Sequence, residues 1–148
     1  MKYRKYEIEF TTDRSCYWFT SKNVLGEGSV IKIVRMQPTA KHGIYNLALG
    51  DIMQGVENYE NITNNGDLKI VFGTIANIVI DFTTKYPNAQ IVVKSDNPIR
   101  QRLYRMKVSN NLEEINKYFS VYGTSNENTQ YTKFEKGKNY ISILVSRK

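Results

Sequence analysis

The sequence has little of what most metal and nucleophile sites are made of. Its 148 residues include one cysteine, Cys16, and one histidine, His42, too few for the nitrogen and sulfur ligand sets typical of zinc sites. A single cysteine also excludes an intramolecular disulfide. No nucleophile elbow, Walker loop or dinucleotide-binding glycine pattern occurs. The sequence therefore predicts no metal site, and it leaves both the cofactor and the question of catalysis open.

Long apolar runs are absent as well. No stretch approaches the roughly 18–20 apolar residues that cross a bilayer. The first ten residues carry neither an apolar core nor a small-residue cleavage site, so we expect no signal peptide. Together with the lone cysteine, this predicts a cytoplasmic protein with no membrane partner. Nothing in the sequence indicates an oligomeric state.

Acidic residues are scarcer than basic ones. The chain has 21 Lys and Arg against 14 Asp and Glu, a net charge of +7. Residues 94–107 carry five bases and one acid, whereas residues 51–67 carry four acids and no base. A basic surface attracts nucleotides, nucleic acid or another polyanion. The alternative is structural, with the arginines of 94–107 forming ion pairs with the acids of 51–67.

Hydrophobic periodicity predicts a single α+β domain over residues 1–148. An apolar arc along 67–86 predicts the main helix, and short alternating or apolar runs predict strands. Because a strand, a helix and a second strand form a βαβ unit, the strands on either side of this helix should be parallel neighbours. The rest of the mixed sheet should be mostly antiparallel. The predicted strands are 5–12, 16–20, 30–36, 44–49, 89–93, 120–123 and 140–145, with polar loops at 51–66 and 124–130.

The sharpest functional signal lies where strand 89–93 ends and the next helix begins. Asn97 before Pro98 is a helix-start signal. Arginines in the first turns oppose the preference of a helix N-terminus for acids, which suggests that an anion is supplied from outside the helix. We predict an anion-binding module for phosphate, nucleotide or nucleic acid. Its site residues are Ser95, Asn97, Arg100, Arg102 and Arg105.

A helical wheel divides this helix. Ile99, Leu103 and Met106 share one face, which is predicted to be buried. Arg102 and Arg105 lie together on one flank, and Arg100 lies on the other flank with Tyr104 and Lys107. Arg100 is nearest the helix start, and its planar guanidinium suits an oxyanion held by backbone N–H groups. For Arg102 and Arg105, the alternative is that they form ion pairs with the acids of 51–67.

Two other functions follow from different residues. Nucleic-acid binding would use basic residues alternating with aromatic ones, which combine phosphate contact with base stacking. A small nuclease or toxin-type protein would use Asp51 and Asp67 around Mg²⁺. The alternating segments are Tyr3-Arg4-Lys5-Tyr6, Tyr104-Arg105, Lys117-Tyr118 and Tyr131-Thr132-Lys133-Phe134.

Three segments together resemble an uncharacterised bacterial domain family of unknown function, met mostly in Bacteroidota. The resemblance covers most of the chain and implies no established activity. Its segments are Tyr45-Asn46-Leu47-Ala48-Leu49-Gly50-Asp51, Asn64-Asn65-Gly66-Asp67 and Arg100-Gln101-Arg102-Leu103-Tyr104-Arg105-Met106.

A weaker, architectural resemblance is to the GNAT acyltransferases. They run antiparallel strands, a helix, a strand and then a helix whose start often has an Asn followed by a Leu-Tyr pair, as Asn97 and Leu103-Tyr104 do here. This resemblance implies an acyltransferase with Tyr104 as general acid and coenzyme A at the start of the central helix. The Arg/Gln-x-x-Gly-x-Gly/Ala cradle is absent from Asn64 to Gly73, which implies a divergent mode of coenzyme A binding.

Overall fold

The computed structural model describes residues 4–60, 64–126 and 130–148. The predicted contact of Tyr3 and parts of the predicted loops 51–66 and 124–130 lie outside these residues. No helix among the described residues is long and apolar enough to cross a membrane. The helices are α1 (Leu68–Lys85), α2 (Pro98–Asn110) and α3 (Leu112–Ile115), and the strands are β1 (Glu9–Phe10), β2 (Cys16–Lys22), β3 (Ser29–Pro38), β4 (Ile44–Met53), β5 (Val56–Asn58), β6 (Gln90–Lys94), β7 (Phe119–Thr124), β8 (Thr132–Lys133) and β9 (Ser142–Arg147).

The predicted α+β class with a mixed, mostly antiparallel sheet is confirmed. The parallel pair is β4 with β6, in register from Ile44 opposite Gln90 to Asn46 opposite Val92. These two strands lie on either side of α1 in the sequence, so the expected parallel neighbours are present. The chain folds into two compact units: Met1–Gln37 with Leu47–Lys85, and Pro38–Asn46 with Tyr86–Lys148.

The first unit packs α1 on an antiparallel set of strands. β1 pairs with β2, β2 with β3, and β4 with β5. α1 begins directly after Asp67, whose backbone carbonyl accepts the N–H groups of Ile70 and Val71. Four residues of its predicted apolar stripe are buried, Val71, Ile78, Val79 and Phe82, together with Gly73, Thr74 and Thr83, and the rest of the stripe is half-buried. The core side chains are Tyr17, Phe19, Ile33, Val34, Met36, Val71, Ile78, Val79 and Phe82.

The second unit contains the start of β4 together with β6, β9, β7 and β8, plus α2 and α3. β9 pairs antiparallel with β6 on one side and with β7 on the other. Its core cluster consists of Val121, Phe134, Tyr140 and Ile143. A Cβ at Gly123 would lie 2.5 Å from Cδ1 of Tyr140, so this position needs glycine for the Tyr140 ring to lie against β7.

Two predicted segments differ most from the structure. Of the predicted strand 5–12, only β1 pairs in the sheet, because the Tyr6 N–H donates instead to the Thr74 hydroxyl on α1. The predicted loop after residue 49 contains the end of β4 and all of β5, joined at Gln54 and Gly55. Both of these turn residues have positive φ, 53° and 77°, which is the conformation of a two-residue hairpin turn. Gln-Gly is a weaker hairpin signal than Asn-Gly, which is why the pattern missed it.

Candidate functional site

The start of α2 is capped by its own chain. The Asn97 Oδ1 accepts the N–H of Ile99 at 2.9 Å and the N–H of Arg100 at 3.3 Å, so the predicted helix start is confirmed. Pro98 has no N–H, and the Gln101 N–H donates to the Asn97 carbonyl at 3.0 Å. The amide groups expected to hold an anion are therefore already hydrogen-bonded. An anion at this helix start would have to use side chains, or displace Asn97.

Ser95 closes the turn before the helix. Its Oγ accepts the Asn97 N–H at 3.1 Å, and its carbonyl accepts the side-chain amide of Gln101 at 2.5 Å. Ser95 and Asn97 thus build the strand-to-helix turn, and contact between these two residues and a ligand stays a prediction.

The predicted buried face of α2 is wrong for Ile99 and Met106, whereas Leu103 is half-buried. Ile99 is 79% exposed and Met106 is 47% exposed, whereas Tyr104 and Val108 pack against the core cluster of the second unit. The side of the helix that carries Tyr104 can pack against the core because the neighbouring polar side chains donate to backbone carbonyls. Gln101 donates to Ser95 and Arg105 donates to Tyr140, so burying this face leaves those groups satisfied.

The three predicted arginines have different surroundings. The Arg105 Nη1 donates to the Tyr140 carbonyl at 3.1 Å and so ties α2 to the segment before β9. Arg100 is half-buried; burial raises the pKa of Tyr104, and the charge of Arg100 opposes that rise. Arg102 is exposed. Arg105 therefore has a structural contact, and Arg100 and Arg102 present guanidinium groups from other sides of the helix.

The acids of 51–67 pair within the first unit. Asp51 is fully buried and its Oδ1 lies 2.7 Å from the Lys32 Nζ. Glu57 accepts two hydrogen bonds from the Arg35 guanidinium, both at 2.7 Å, and these bonds, with one from Tyr59, lower the pKa of Glu57 to about 2. Burial, helped by the bond to Glu57, raises the pKa of Tyr59 to about 12. These acids thus have partners on β3.

The arrangement required for a magnesium-dependent nuclease is not formed by the described residues. No three His, Cys, Asp or Glu side chains among them lie together as a metal-ligand group. Asp51 and Asp67 are 0% and 4% exposed, and both accept hydrogen bonds from neighbouring side chains. Carboxylates that bind a metal-bound substrate must be reachable from solvent, so this alternative has no support in the geometry.

A cation-lined cavity of about 380 Å³ lies in the first unit; we call it the basic cavity. Three of its lining side chains carry positive charge, and the described lining residues include no Asp or Glu. Its volume is within the range of small-molecule sites. Concave surfaces lined by one sign of charge concentrate the opposite ion. The lining residues are Arg4, Lys5, Tyr6, Lys22, Asn23, Val24 and Ile70.

A hydrogen-bond network fixes the wall of the basic cavity. The Tyr6 hydroxyl donates to Asp67 Oδ2 at 2.6 Å and accepts the Lys22 N–H at 3.2 Å. The Ser21 hydroxyl donates to the same Asp67 oxygen at 2.6 Å, while the Tyr6 N–H reaches Thr74. Burial, together with the bond to Asp67, raises the pKa of Tyr6. The segment that carries Arg4 and Lys5 is thereby held between β2 and α1.

A second cavity of about 380 Å³ lies in the second unit. Lys133, Phe134 and Lys148 contribute to its wall, but the Lys148 ammonium already donates to the Asn116 carbonyl. Two of the predicted basic-aromatic segments, around Lys5 and around Lys133, therefore line cavities.

The basic cavity was only partly visible in the sequence. The alternation of basic and aromatic residues marked Arg4, Lys5 and Tyr6. Lys22 and Ile70 carry no local signal, because they join the cavity through contacts between residues far apart in the chain.

Comparisons with known proteins give a family but no activity. A family model described as a family of unknown function (DUF6934) matches residues 2–148. No curated protein matches the chain, and no solved structure does. The function must therefore be argued from the site itself.

Proposed function

We propose that this chain, which belongs to the family of unknown function DUF6934, is a binding module for a phosphate-bearing anion. The observation that supports this proposal is the basic cavity, in which three cationic side chains meet and the described lining residues include no carboxylate. The cytoplasmic location expected from the sequence is part of the proposal.

Each part of the cavity wall suits a different part of such a ligand. The Arg4 guanidinium can hold two phosphate oxygens at once, whereas Lys5 and Lys22 act as point charges. Val24 and Ile70 add an apolar side, which favours a phosphate attached to an organic group over a free inorganic ion.

Asp67 brings a negative charge close to the basic cavity. Its carboxylate lies behind Tyr6 and accepts hydrogen bonds from two hydroxyl groups, which stabilise the negative charge inside the protein. Three cations at the cavity wall outweigh one carboxylate that is 4% exposed.

The turn and arginines predicted from the sequence enter the proposal as a separate contact. Because Asn97 caps the helix amides, an anion there would be held by a guanidinium group, that of Arg100 on one flank of α2 or that of Arg102 on the other. Ser95, Asn97 and Arg105 would act by fixing the turn and the helix.

Removing two cations from the basic cavity is expected to weaken anion binding about tenfold or more, because a hydrogen bond to a charged group contributes about 1.5–3 kcal/mol. The test is isothermal titration of the full chain with pyrophosphate and with ATP, comparing the wild type with Arg4→Ala/Lys22→Ala. Lys41→Ala is the matched control, since Lys41 is exposed outside the cavity lining. Arg100→Ala measures the separate contact on α2.

Equal affinity of the cavity variant and the Lys41→Ala control would reject the basic cavity as the site. Loss of binding in Arg100→Ala alone would move the site to the start of α2. The affinity should also fall as salt is added, and a constant affinity would count against an ionic contact.

A second candidate function, acyl transfer, is favoured by the order of elements. Antiparallel strands, α1, β6 and α2 follow one another as the resemblance to GNAT acyltransferases implies. Tyr104 lies on α2, where the general acid is expected; burial raises its pKa, so its hydroxyl is protonated at neutral pH but is a weaker acid than an ordinary phenol. This candidate rests on connectivity, and coenzyme A would have to bind without the missing glycine cradle.

Acetyl-coenzyme A separates the two functions. If the chain is an acyltransferase, it should bind acetyl-coenzyme A and release free thiol when mixed with amine acceptors such as spermidine or a lysine-containing peptide. Tyr104→Phe should then lower thiol release about 100-fold or more, in the range of general acid catalysis, with little change in acetyl-coenzyme A affinity. Neither binding nor thiol release by the wild type would remove this candidate.

A further inference from the structure

The outward side of α2 carries apolar side chains where the sequence predicted a buried face. Ile99 is 79% exposed and Met106 is 47% exposed, with exposed Arg102 between them in the sequence. Residues three and four apart are neighbours on a helix surface, so these three side chains form one stripe. We call this stripe the outer face of α2.

The outer face is not needed to attach the helix to its unit. Tyr104 and Val108, on the opposite side of α2, pack against the core cluster, and Arg105 is bonded to the Tyr140 carbonyl. The stripe therefore lies open to a partner, and its two apolar side chains around an arginine have the composition of contact surfaces between proteins. Methionine and arginine are both enriched at such surfaces.

Charge selects the kind of partner. The charged side chain in the stripe, Arg102, is a base and is exposed, so a partner that covers the stripe must supply negative charge. A second copy docked by the same face would bring its own Arg102 against this one, and the two would repel. The partner must therefore be a different molecule.

Apolar contact then selects protein over nucleic acid. Ile99 and Met106 would gain little against phosphates, whereas they can be buried against leucine or isoleucine side chains. The stacking side chain that nucleic acid would need, Tyr104, is turned toward the core cluster. Arg105, its predicted phosphate contact, is bonded within the unit.

We propose that the outer face of α2 docks an acidic, amphipathic helix of another protein. Ile99 and Met106 are seven residues apart, about 10 Å along the helix axis at 1.5 Å per residue, so a partner of about three turns covers the stripe. Its apolar side chains would pack between Ile99 and Met106, and its carboxylates would pair with Arg102. This inference is independent of the basic cavity, which belongs to the other unit.

The probe is a fluorescein-labelled helical peptide of about 15 residues, with leucine at every third or fourth position and glutamate between them. Fluorescence anisotropy with the full chain should show saturable binding that weakens as salt is added. The double variant Ile99→Ser/Met106→Ser should weaken binding at least tenfold, and so should Arg102→Glu. Leu25→Ser is the matched control, because Leu25 is 92% exposed in the first unit, and it should bind like the wild type. Circular dichroism should show equal helix content in all variants, since the substituted side chains are exposed.

Several outcomes would overturn the proposal. Absence of binding at millimolar peptide is one, and equal binding of a peptide with lysine in place of each glutamate is another. Tighter binding of single-stranded DNA that depends on Ile99 and Arg102 would assign the face to nucleic acid. Self-association of the wild type that disappears in Ile99→Ser/Met106→Ser would assign it to a second copy.

Discussion

Replacing Lys32 by methionine is expected to lower the free energy of unfolding by about 3–5 kcal/mol, the usual cost of breaking a buried ion pair from one side. The Lys32 side chain is 2% exposed and that of Asp51 is 0% exposed, with Nζ and Oδ1 2.7 Å apart. Methionine keeps the length of lysine but removes its charge, so the Asp51 carboxylate would stay buried without its cation. Single domains are stable by only about 5–15 kcal/mol, so this loss would be a large share.

Urea denaturation measures this loss, with the fluorescence of Trp18, the chain's one tryptophan, reporting on the first unit. The matched control is Arg35→Met. Arg35 lies on β3, as Lys32 does, and this substitution removes the positive charge that pairs with Glu57. That pair is 40% and 35% exposed, and solvent screening limits its contribution to about 0–1 kcal/mol. If Lys32→Met cost no more than Arg35→Met, the buried pair would not carry the stability assigned to it.

The double variant Lys32→Met/Asp51→Val separates charge from packing. With both ionic groups gone, no charge is left buried alone, and well-packed apolar replacements of buried pairs are often neutral or stabilising. We expect the double variant to unfold within about 1–2 kcal/mol of the wild type. A double variant as unstable as Lys32→Met would show that other contacts of these residues, rather than their charges, are what the core needs.

The buried pair also shows where sequence patterns stop being informative. The run from Val30 to Met36 predicts a strand because its residues are apolar and β-branched, and β3 is there. The same run cannot show that Lys32 lies inside, because in an alternating strand a lysine marks the solvent side. Its partner, Asp51, was predicted to begin a polar loop, and only the pairing of distant segments places the two charges together.

The helices show the same limit. α1 was predicted well because its apolar arc is broad, and one side of the helix is plainly the core side. α2 has apolar residues on more than one side, and the helical wheel predicted that Ile99, Leu103 and Met106 form the buried face. The structure packs Tyr104 and Val108 against the core cluster instead, and both that cluster and the Tyr140 carbonyl that accepts from Arg105 come from later in the chain. The cap at Asn97 was predictable since it depends only on neighbours in sequence.

The candidate site divides in the same way. Arg4, Lys5 and Tyr6 were marked by their local alternation, and the structure puts them on one cavity wall. Lys22 completes that wall through its backbone contact with Tyr6, which no local pattern reveals. The arginines of α2 were found by composition. Only the packing of the helix shows that Arg105 is bonded to the Tyr140 carbonyl and that Arg102 is exposed.

Replacing Asp67 by alanine is expected to lower the free energy of unfolding by about 3–5 kcal/mol. The carboxylate accepts hydrogen bonds from Tyr6 and Ser21, both at 2.6 Å, and each bond to a charged group contributes about 1.5–3 kcal/mol. Ser21 is fully buried, so its hydroxyl would lose its acceptor inside the protein. Tyr6→Phe removes one of the two bonds and should cost less than half as much.

The dependence of stability on alkaline pH tests whether the Tyr6 hydroxyl, the donor to Asp67, holds its proton more tightly in the folded state. Burial, with the bond to Asp67, raises the pKa of Tyr6 above its ordinary value of 10.0, so the folded state holds the phenolic proton more tightly than the unfolded state. The resulting stability is complete below pH 10 and is lost as the pH rises toward the raised pKa, because the unfolded chain releases its proton first. Urea denaturation at increasing pH should show this loss in the wild type and in the control Tyr118→Phe, whose side chain is exposed, and a smaller loss in Tyr6→Phe. The same alkaline loss in all three proteins would mean that the ionisation of Tyr6 does not contribute to it.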